Sequence, residues 1–163
     1  MEKKVATTKK AATRKGTSEQ RMVQAEMLLD VSRKVAAIDS LDEVLGVLME
    51  MSTWELGAER SSLFLNDPQS GELYSRFAQG NFQREIRIIN DSGIAGSVFQ
   101  SGKGRIIHDA YTDKSFNSSV DERTGYTTRN MICVPIKTVK DEVIGVAQVL
   151  NKKKGRFTKV DLA

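Results

Sequence analysis

Apolar positions in the first third of the chain recur at helical spacing. Leu28, Val31, Val35 and Ile38 step by 3, 4 and 3 residues, which predicts a helix over Arg21 to Ala37 with one apolar face. Ser40-Leu41-Asp42-Glu43 has capping-box spacing and opens a second helix. Leu41, Val44, Leu45, Leu48 and Ser52 are its expected inward face, and Gly57 its stop. The period then shortens to two. Ser61, Leu63 and Leu65 alternate with Ser62, Phe64 and Asn66, and Leu73, Ser75 and Phe77 alternate with Tyr74, Arg76 and Ala78. The intervening Asn66 to Gly71 has turn composition, so the two runs predict an antiparallel hairpin.

A third strand is expected over Glu85 to Ile89, and a short helix over Ile94 to Ser101, closed by Gly102-Lys103-Gly104. Arg105 to His108 is a further short strand. Within the polar stretch Asp109 to Arg129, Ser118 to Thr124 reads as a short helix, with Ser119 and Glu122 in capping-box spacing. Met131 to Thr138 and Val143 to Leu150 are the strongest strands, joined by Val139 to Glu142. Helices followed by mostly antiparallel strands with helical insertions define an α+β class, a sheet with helices packed on it.

The length of 163 residues suits about one domain, on a prior of ~150 residues each. Charge changes the picture at one end only. Residues 1–20 hold six basic and two acidic residues, a surplus of four that equals the net charge of the whole chain, +4. A basic disordered leader is therefore expected over 1–20, followed by a neutral folded domain over 21–163. The neutral body argues against a specific nucleic-acid binder. No apolar run approaches the ~18 residues of a membrane span, and no secretory h-region follows Met1. One cysteine and one histidine exclude a zinc site built from several such ligands, and no metal is expected. A cytoplasmic setting fits this inventory.

Gly96 to Lys103 resembles a phosphate loop superficially. Five residues separate its glycines instead of four, and Gly104 stands where the hydroxyl residue belongs, so nucleotide hydrolysis there is not expected. Cys133 lies inside an apolar strand and reads as a buried thiol. His108 has no triad partner pattern, and no catalytic residue is assigned. Two features suit a small anionic ligand. Ser92 to Gly96 puts small residues at a helix start, where backbone N–H groups lack partners. Asp121, Thr124, Thr127 and Thr128, with Asn117 nearby, supply carboxylate, hydroxyl and amide groups. Together they suggest a cleft between the sheet and the loop helices.

The tail Asn151-Lys152, then Phe157 and Asp161, resembles the NK…F…DE signature of cyclic-nucleotide-binding GAF domains. Arg60 to Leu65, Glu85 to Ile88, Gly93 to Gly96, Asp109 to Tyr111, Thr124 to Asn130, Pro135-Ile136 and Val143 to Ala147 also resemble GAF blocks, in the order found in phosphodiesterases and bacterial adenylate cyclases. The resemblance implies a six-stranded antiparallel sheet of GAF/PAS kind. N-terminal helices flank it, and short helices and loops cover a pocket.

By the family pattern, Ser62 lies on the pocket floor, and Ile94 and Ala95 offer N–H groups to a cyclic phosphate. Asp121, Thr124 and Thr128 cover the ligand, and Gln148 faces it from the last strand. Asn151, Lys152, Phe157 and Asp161 form the structural motif, with Lys152 and Asp161 paired. Ala78 stands where a phosphodiesterase domain carries a stacking aromatic, and Gln79 at an acidic base-reading position. Asn117 stands where an aromatic occurs, beside Phe116. Gln148 replaces a Glu, and Leu162 the motif's last Glu.

The resemblance implies a regulatory sensor without a cofactor, whose ligand is a cyclic nucleotide, cAMP favoured over cGMP. The expected output is a linked signalling domain such as an adenylate cyclase, outside this chain, with the family's C-terminal helix also cut short. A homodimer through the N-terminal helices is expected. The alternative is a ligand-free dimerisation module.

Overall fold

The computed structural model describes residues 22, 23, 25, 26, 28–30, 32, 33, 40–80 and 85–162. The chain divides into two units, Met1–Val44 and Leu45–Ala163. The expected leader, and Val31, Val35 and Ile38 of the apolar stripe, lie outside the described residues. Those described between 22 and 33 are helical, and Leu28 among them is exposed.

In order, the elements are α1 (Leu41–Glu55), β1 (Ala58–Asp67), β2 (Glu72–Ala78), β3 (Arg87–Ile89), α2 (Gly93–Ser101), β4 (Arg105–Ile107), a 3₁₀ turn (Ala110–Thr112), α3 (Ser119–Thr124), β5 (Met131–Lys137), β6 (Val143–Lys152) and α4 (Lys159–Leu162). The strands form one six-stranded sheet in the order β3-β2-β1-β6-β5-β4, every neighbouring pair antiparallel. The α+β expectation holds.

Asp67 makes the first hairpin. Its carbonyl accepts the Gly71 N–H at 3.0 Å and its Oδ1 the Gln69 N–H at 3.0 Å, closing the turn before β2. The central strands β1 and β6 are ten residues each and pair along most of their length, joining the two ends of the domain.

Burial of β1 departs from simple alternation. Ser61, Ser62, Leu63 and Phe64 are all buried, because both faces of the sheet are covered. On one face Phe64, Val98, Cys133 and Val146 belong to a core cluster that includes Ile94 and Ala95 of α2. On the other, Ala58, Ile132, Val149 and Phe157 form a second cluster. Full burial of side chains such as Val98 and Val146 contributes roughly 1.5–3 kcal/mol each.

The inward face of α1 differs from expectation. Leu41 and Leu48 are exposed, and the buried residues are Met49 and Thr53. The helix meets β1 by polar contact: the Met49 carbonyl accepts the Ser61 hydroxyl at 3.0 Å. The helix therefore faces the sheet along the row Leu45, Met49 and Thr53, with Val44, Leu45 and Ser52 of the expected face half-buried and Leu41 and Leu48 turned outward. β3 begins two residues later than expected, although the Ile86 carbonyl still accepts the Ser75 N–H at 2.8 Å. The hydroxyl of Ser118 at the start of α3 goes to the Glu122 carboxylate at 2.7 Å, so the expected Ser119 capping box is not formed.

Candidate functional site

The sheet places one side chain per strand in a transverse row. Ala78 pairs with Ser62, Ser62 with Gln148, Gln148 with Cys133 and Cys133 with Arg105, crossing β2, β1, β6, β5 and β4. The first three floor a cavity of about 280 Å³, near the small end of the ~300–1,000 Å³ range of small-molecule sites. The Ser62 hydroxyl donates to Gln148 Oε1 at 3.4 Å, and Gln148 Nε2 reaches the Cys133 sulfur at 3.8 Å. Burial pushes the Cys133 thiol up to about 12, so it is neutral and inert under the floor.

The start of α2 closes one end. Ser92 makes no side-chain cap, and the first helical hydrogen bond there runs from the Gly96 N–H to the Ser92 carbonyl at 3.1 Å. The Gly93, Ile94 and Ala95 N–H groups precede it and have no intrahelical acceptor. Ile94 and Ala95 are buried and line the cavity, so the positive end of the helix dipole lies at its wall. A glycine at 96 lets the helix start lie on the backbone before it: a Cβ there would sit 3.0 Å from the Asp91 carbonyl carbon.

The cover comes from α3 and the loops beside it. Asp121, 7% exposed, accepts the Thr128 N–H at 2.6 Å, the Thr128 hydroxyl at 2.8 Å and the Tyr111 hydroxyl at 3.0 Å. It is a buckle between α3 and the loop carrying Thr128. Because the Thr128 proton is committed to Asp121, Thr128 offers the cavity a lone pair. Hydrogen bonding to Asp121 raises the Tyr111 pKa. Phe116 packs against Tyr111 with ring centroids 5.1 Å apart. Asn117 Oδ1 accepts the Ser119 N–H at 3.0 Å and starts α3. The Thr124 hydroxyl contacts the Asp121 carbonyl at 3.4 Å.

At the inner end of β2, Gln79 Oε1 accepts the Ser61 N–H at 2.9 Å and the Thr53 hydroxyl at 3.1 Å. Its oxygen is thereby occupied, and its amide NH₂ is the group left for a ligand.

Ser62, Ala78, Gln79, Ile94, Ala95, Phe116, Asn117, Asp121, Thr124, Thr128 and Gln148 thus all line the same cavity. The sequence reading missed Arg60 and Tyr126, which also line it. The Arg60 guanidinium lies 4.0 Å over the Tyr126 ring. Strand alternation from Ser62 back to Arg60 was the signal for the first. Nothing local marked the second.

The motif residues lie beside the site. Lys152 Nζ pairs with Asp161 at 2.6 Å, and Thr158 donates its N–H and hydroxyl to the other Asp161 oxygen. Burial raises the Asp161 pKa, but the Lys152 and Thr158 donors outweigh it and the net shift is downward. Phe157 is buried under Lys152. Asn151, fully buried with φ 57°, accepts the Arg129 N–H at 2.7 Å and donates to the Thr127 carbonyl and Tyr126 hydroxyl at 2.8 Å each. Leu162 packs at the second core cluster, half-buried. Among the described residues, no group of three or more metal-ligating side chains occurs.

The model of the GAF domain family matches residues 40–163, so this chain belongs to the GAF family. It is 38% identical over 150 residues to a probable 3',5'-cyclic phosphodiesterase, pde-5, of Caenorhabditis elegans, covering 84% of this chain and 20% of that protein. It is 40% identical over 123 residues to the dual 3',5'-cyclic-AMP and -GMP phosphodiesterase 11 of Drosophila melanogaster, covering 65% of this chain and 8% of that protein. The chain therefore spans a fifth or less of the length of these relatives. The GAF domain of a phosphoenolpyruvate-protein phosphotransferase from Coxiella burnetii superimposes with a TM-score of 0.74 at 19% identity, covering 86% of this chain and 84% of that one. Free methionine-R-sulfoxide reductase from Neisseria meningitidis does so at 0.67 and 20%, covering 82% and 76%. These two share the fold.

Proposed function

We propose that this GAF domain is a regulatory sensor that binds a cyclic nucleotide in the cavity over Ser62 and Gln148. The observation that carries it is the convergence on one cavity of a buried helix start at Ile94 and Ala95 with polar groups at Asp121, Thr124 and Thr128. The helix start suits a singly charged cyclic phosphate. The apolar walls, with Phe116 and Ala78, suit a sugar and base. The kinship with cyclic-nucleotide phosphodiesterases supports the ligand class.

For the base, we favour adenine. Its edge both donates and accepts, as an amide does, whereas the N1–H and N2–H donors of guanine are held best by a free carboxylate. Gln79 and Gln148 are amides, the Gln79 oxygen is already occupied, and Asp121 is bound by three donors. The domain acts in the cytoplasm and controls a linked signalling output, an adenylate cyclase or another cyclic-nucleotide enzyme. Among the described residues no helix is long and apolar enough to cross a membrane.

Calorimetric titration of the ligand-stripped protein with cAMP and with cGMP tests this. One saturable site with cAMP the tighter ligand is expected. No heat from either, in a folded and empty sample, overturns the reading.

A dimer through the N-terminal segment is the second element of the proposal. It draws support from the exposure of Leu28 and Leu29, at 68% and 55%, on described helical residues. Sedimentation of Val31→Glu with Val35→Glu is expected to give a monomer; an intact dimer contradicts that interface.

A further inference from the structure

Residues 125–130 carry Thr128 across the cavity without belonging to a helix or strand. Their peptide groups still need partners, since a buried unpaired N–H or C=O is costly. The Arg129 carbonyl accepts the Ala110 N–H and the Thr128 N–H goes to Asp121; the Asn151 side chain supplies three more. Its Oδ1 accepts the Arg129 N–H at 2.7 Å and the Asn130 N–H at 3.3 Å, and its Nδ2 donates to the Thr127 carbonyl at 2.8 Å. Both peptide groups flanking Thr128 are therefore fixed by one buried amide. That amide is itself oriented by two residues. The Tyr126 hydroxyl accepts from Asn151 Nδ2 at 2.8 Å and donates to Glu59 Oε2 at 3.0 Å. Glu59 Oε2 also lies 3.1 Å from Asn151 Nδ2, whose two hydrogens point to the closer Thr127 carbonyl and Tyr126 hydroxyl, while Glu59 Oε1 holds the Arg129 guanidinium.

Resting on the sensor reading above, we propose that Glu59 and Tyr126 are positioning residues for the nucleotide. Through Asn151 they hold Thr128 where its hydroxyl can meet the ligand, without serving as the ligand's own hydrogen-bonding groups. Three further facts fit this role. Thr128 is also fixed on its cavity side, by Asp121, so its position is set from two directions. The Tyr126 ring lines the cavity beneath Arg60, whereas its hydroxyl belongs to the ring of bonds with Glu59 and Asn151. Glu59 is the second residue of β1 and follows shortly after the end of α1. The grip on the ligand is thereby tied to the junction between that helix and the sheet.

The test uses Tyr126→Phe, which keeps the ring under Arg60 and removes only the hydroxyl, and Glu59→Gln as a second variant. Dissociation rates for cAMP and cGMP are measured together with amide hydrogen exchange at Thr128, Arg129 and Asn130 in the empty protein. Loss of one such hydrogen bond corresponds to roughly two- to tenfold. Both variants are expected to release nucleotide faster by about that factor, with association rates little changed and faster exchange at the three amides. In a Thr128→Ala background, Tyr126→Phe is expected to add little further loss, because it acts through Thr128.

Lowered thermal stability with unchanged nucleotide dissociation in both variants overturns the proposal. So does unaltered exchange at the loop amides. Failure of the unmodified protein to bind either nucleotide, with exchange still altered in the variants, instead overturns the sensor reading on which the nucleotide role rests.

Discussion

Thr128 gives both its backbone N–H and its hydroxyl to the Asp121 carboxylate, at 2.6 and 2.8 Å. An acid seven residues earlier in the chain thus sets the height of the cover over the sheet. Asp121→Asn removes the charge and turns one acceptor into a donor facing donors. A loss of about 1–3 kcal/mol of stability is expected, together with weaker nucleotide binding. Chemical denaturation and calorimetry of the variant measure the two effects. Full retention of both contradicts the buckle.

At the base end, the Gln79 oxygen is occupied by Ser61 and Thr53. Gln79→Glu keeps that acceptor and adds a second carboxylate oxygen on the side of the amide NH₂. Guanine donors then gain a partner, so the cGMP-to-cAMP affinity ratio is expected to rise about tenfold or more, within the ~1–3 kcal/mol of a good base contact. An unchanged ratio in paired titrations removes Gln79 from base reading.

Gly96 lies against the backbone of Asn90 and Asp91, where a Cβ would be 3.0–3.2 Å from their atoms. The neighbours are main chain and cannot rotate aside. Gly96→Ala is expected to cost about 1–3 kcal/mol and to weaken ligand binding by shifting the start of α2. A thermal melt at wild-type temperature contradicts the close approach.

The Lys152–Asp161 pair has a defined pH signature. The Asp161 carboxyl titrates below its ordinary value in the folded protein, because Lys152 and Thr158 stabilise its anion. Its contribution is complete above the unfolded pKa of about 4 and is lost as pH falls through the folded value. Asp161→Asn is expected to lower stability at neutral pH and to flatten the loss of stability below about pH 4. Parallel melts across that range check it. Curves of equal acid slope contradict the assignment.

Much of this architecture is legible in the chain. The apolar runs at Met131 and Val143 and the small-residue start at Ser92 to Gly96 correspond to β5, β6 and α2 within a few residues, because period and glycine placement are local signals. The face of α1 was legible only in part: Val44, Leu45 and Ser52 are half-buried as expected, but Leu41 and Leu48 are exposed, and the contact from Ser61 to the Met49 carbonyl is long-range and leaves no mark on the helical period. The ring joining Glu59, Tyr126 and Asn151 was hidden for a different reason. Its members lie 25 to 92 positions apart, and the key asparagine adopts a positive φ that no composition rule announces. The helix start at Ser92 to Gly96 and the polar cluster of Asn117, Asp121, Thr124 and Thr128 were legible from residue chemistry, whereas Ser62, Ala78, Gln79 and Gln148 came only through a resemblance to a known family. Periodicity alone places a side chain on a face of the sheet, not over a particular partner.

The site of the phosphate is read from the Ile94 and Ala95 amide signals, followed by nuclear magnetic resonance while the empty protein is titrated with cAMP. If the cyclic phosphate is held by the start of α2, both amides shift and saturate together with the calorimetric binding curve. Saturable binding that leaves both amides unmoved would place the phosphate elsewhere and contradict this account of the site.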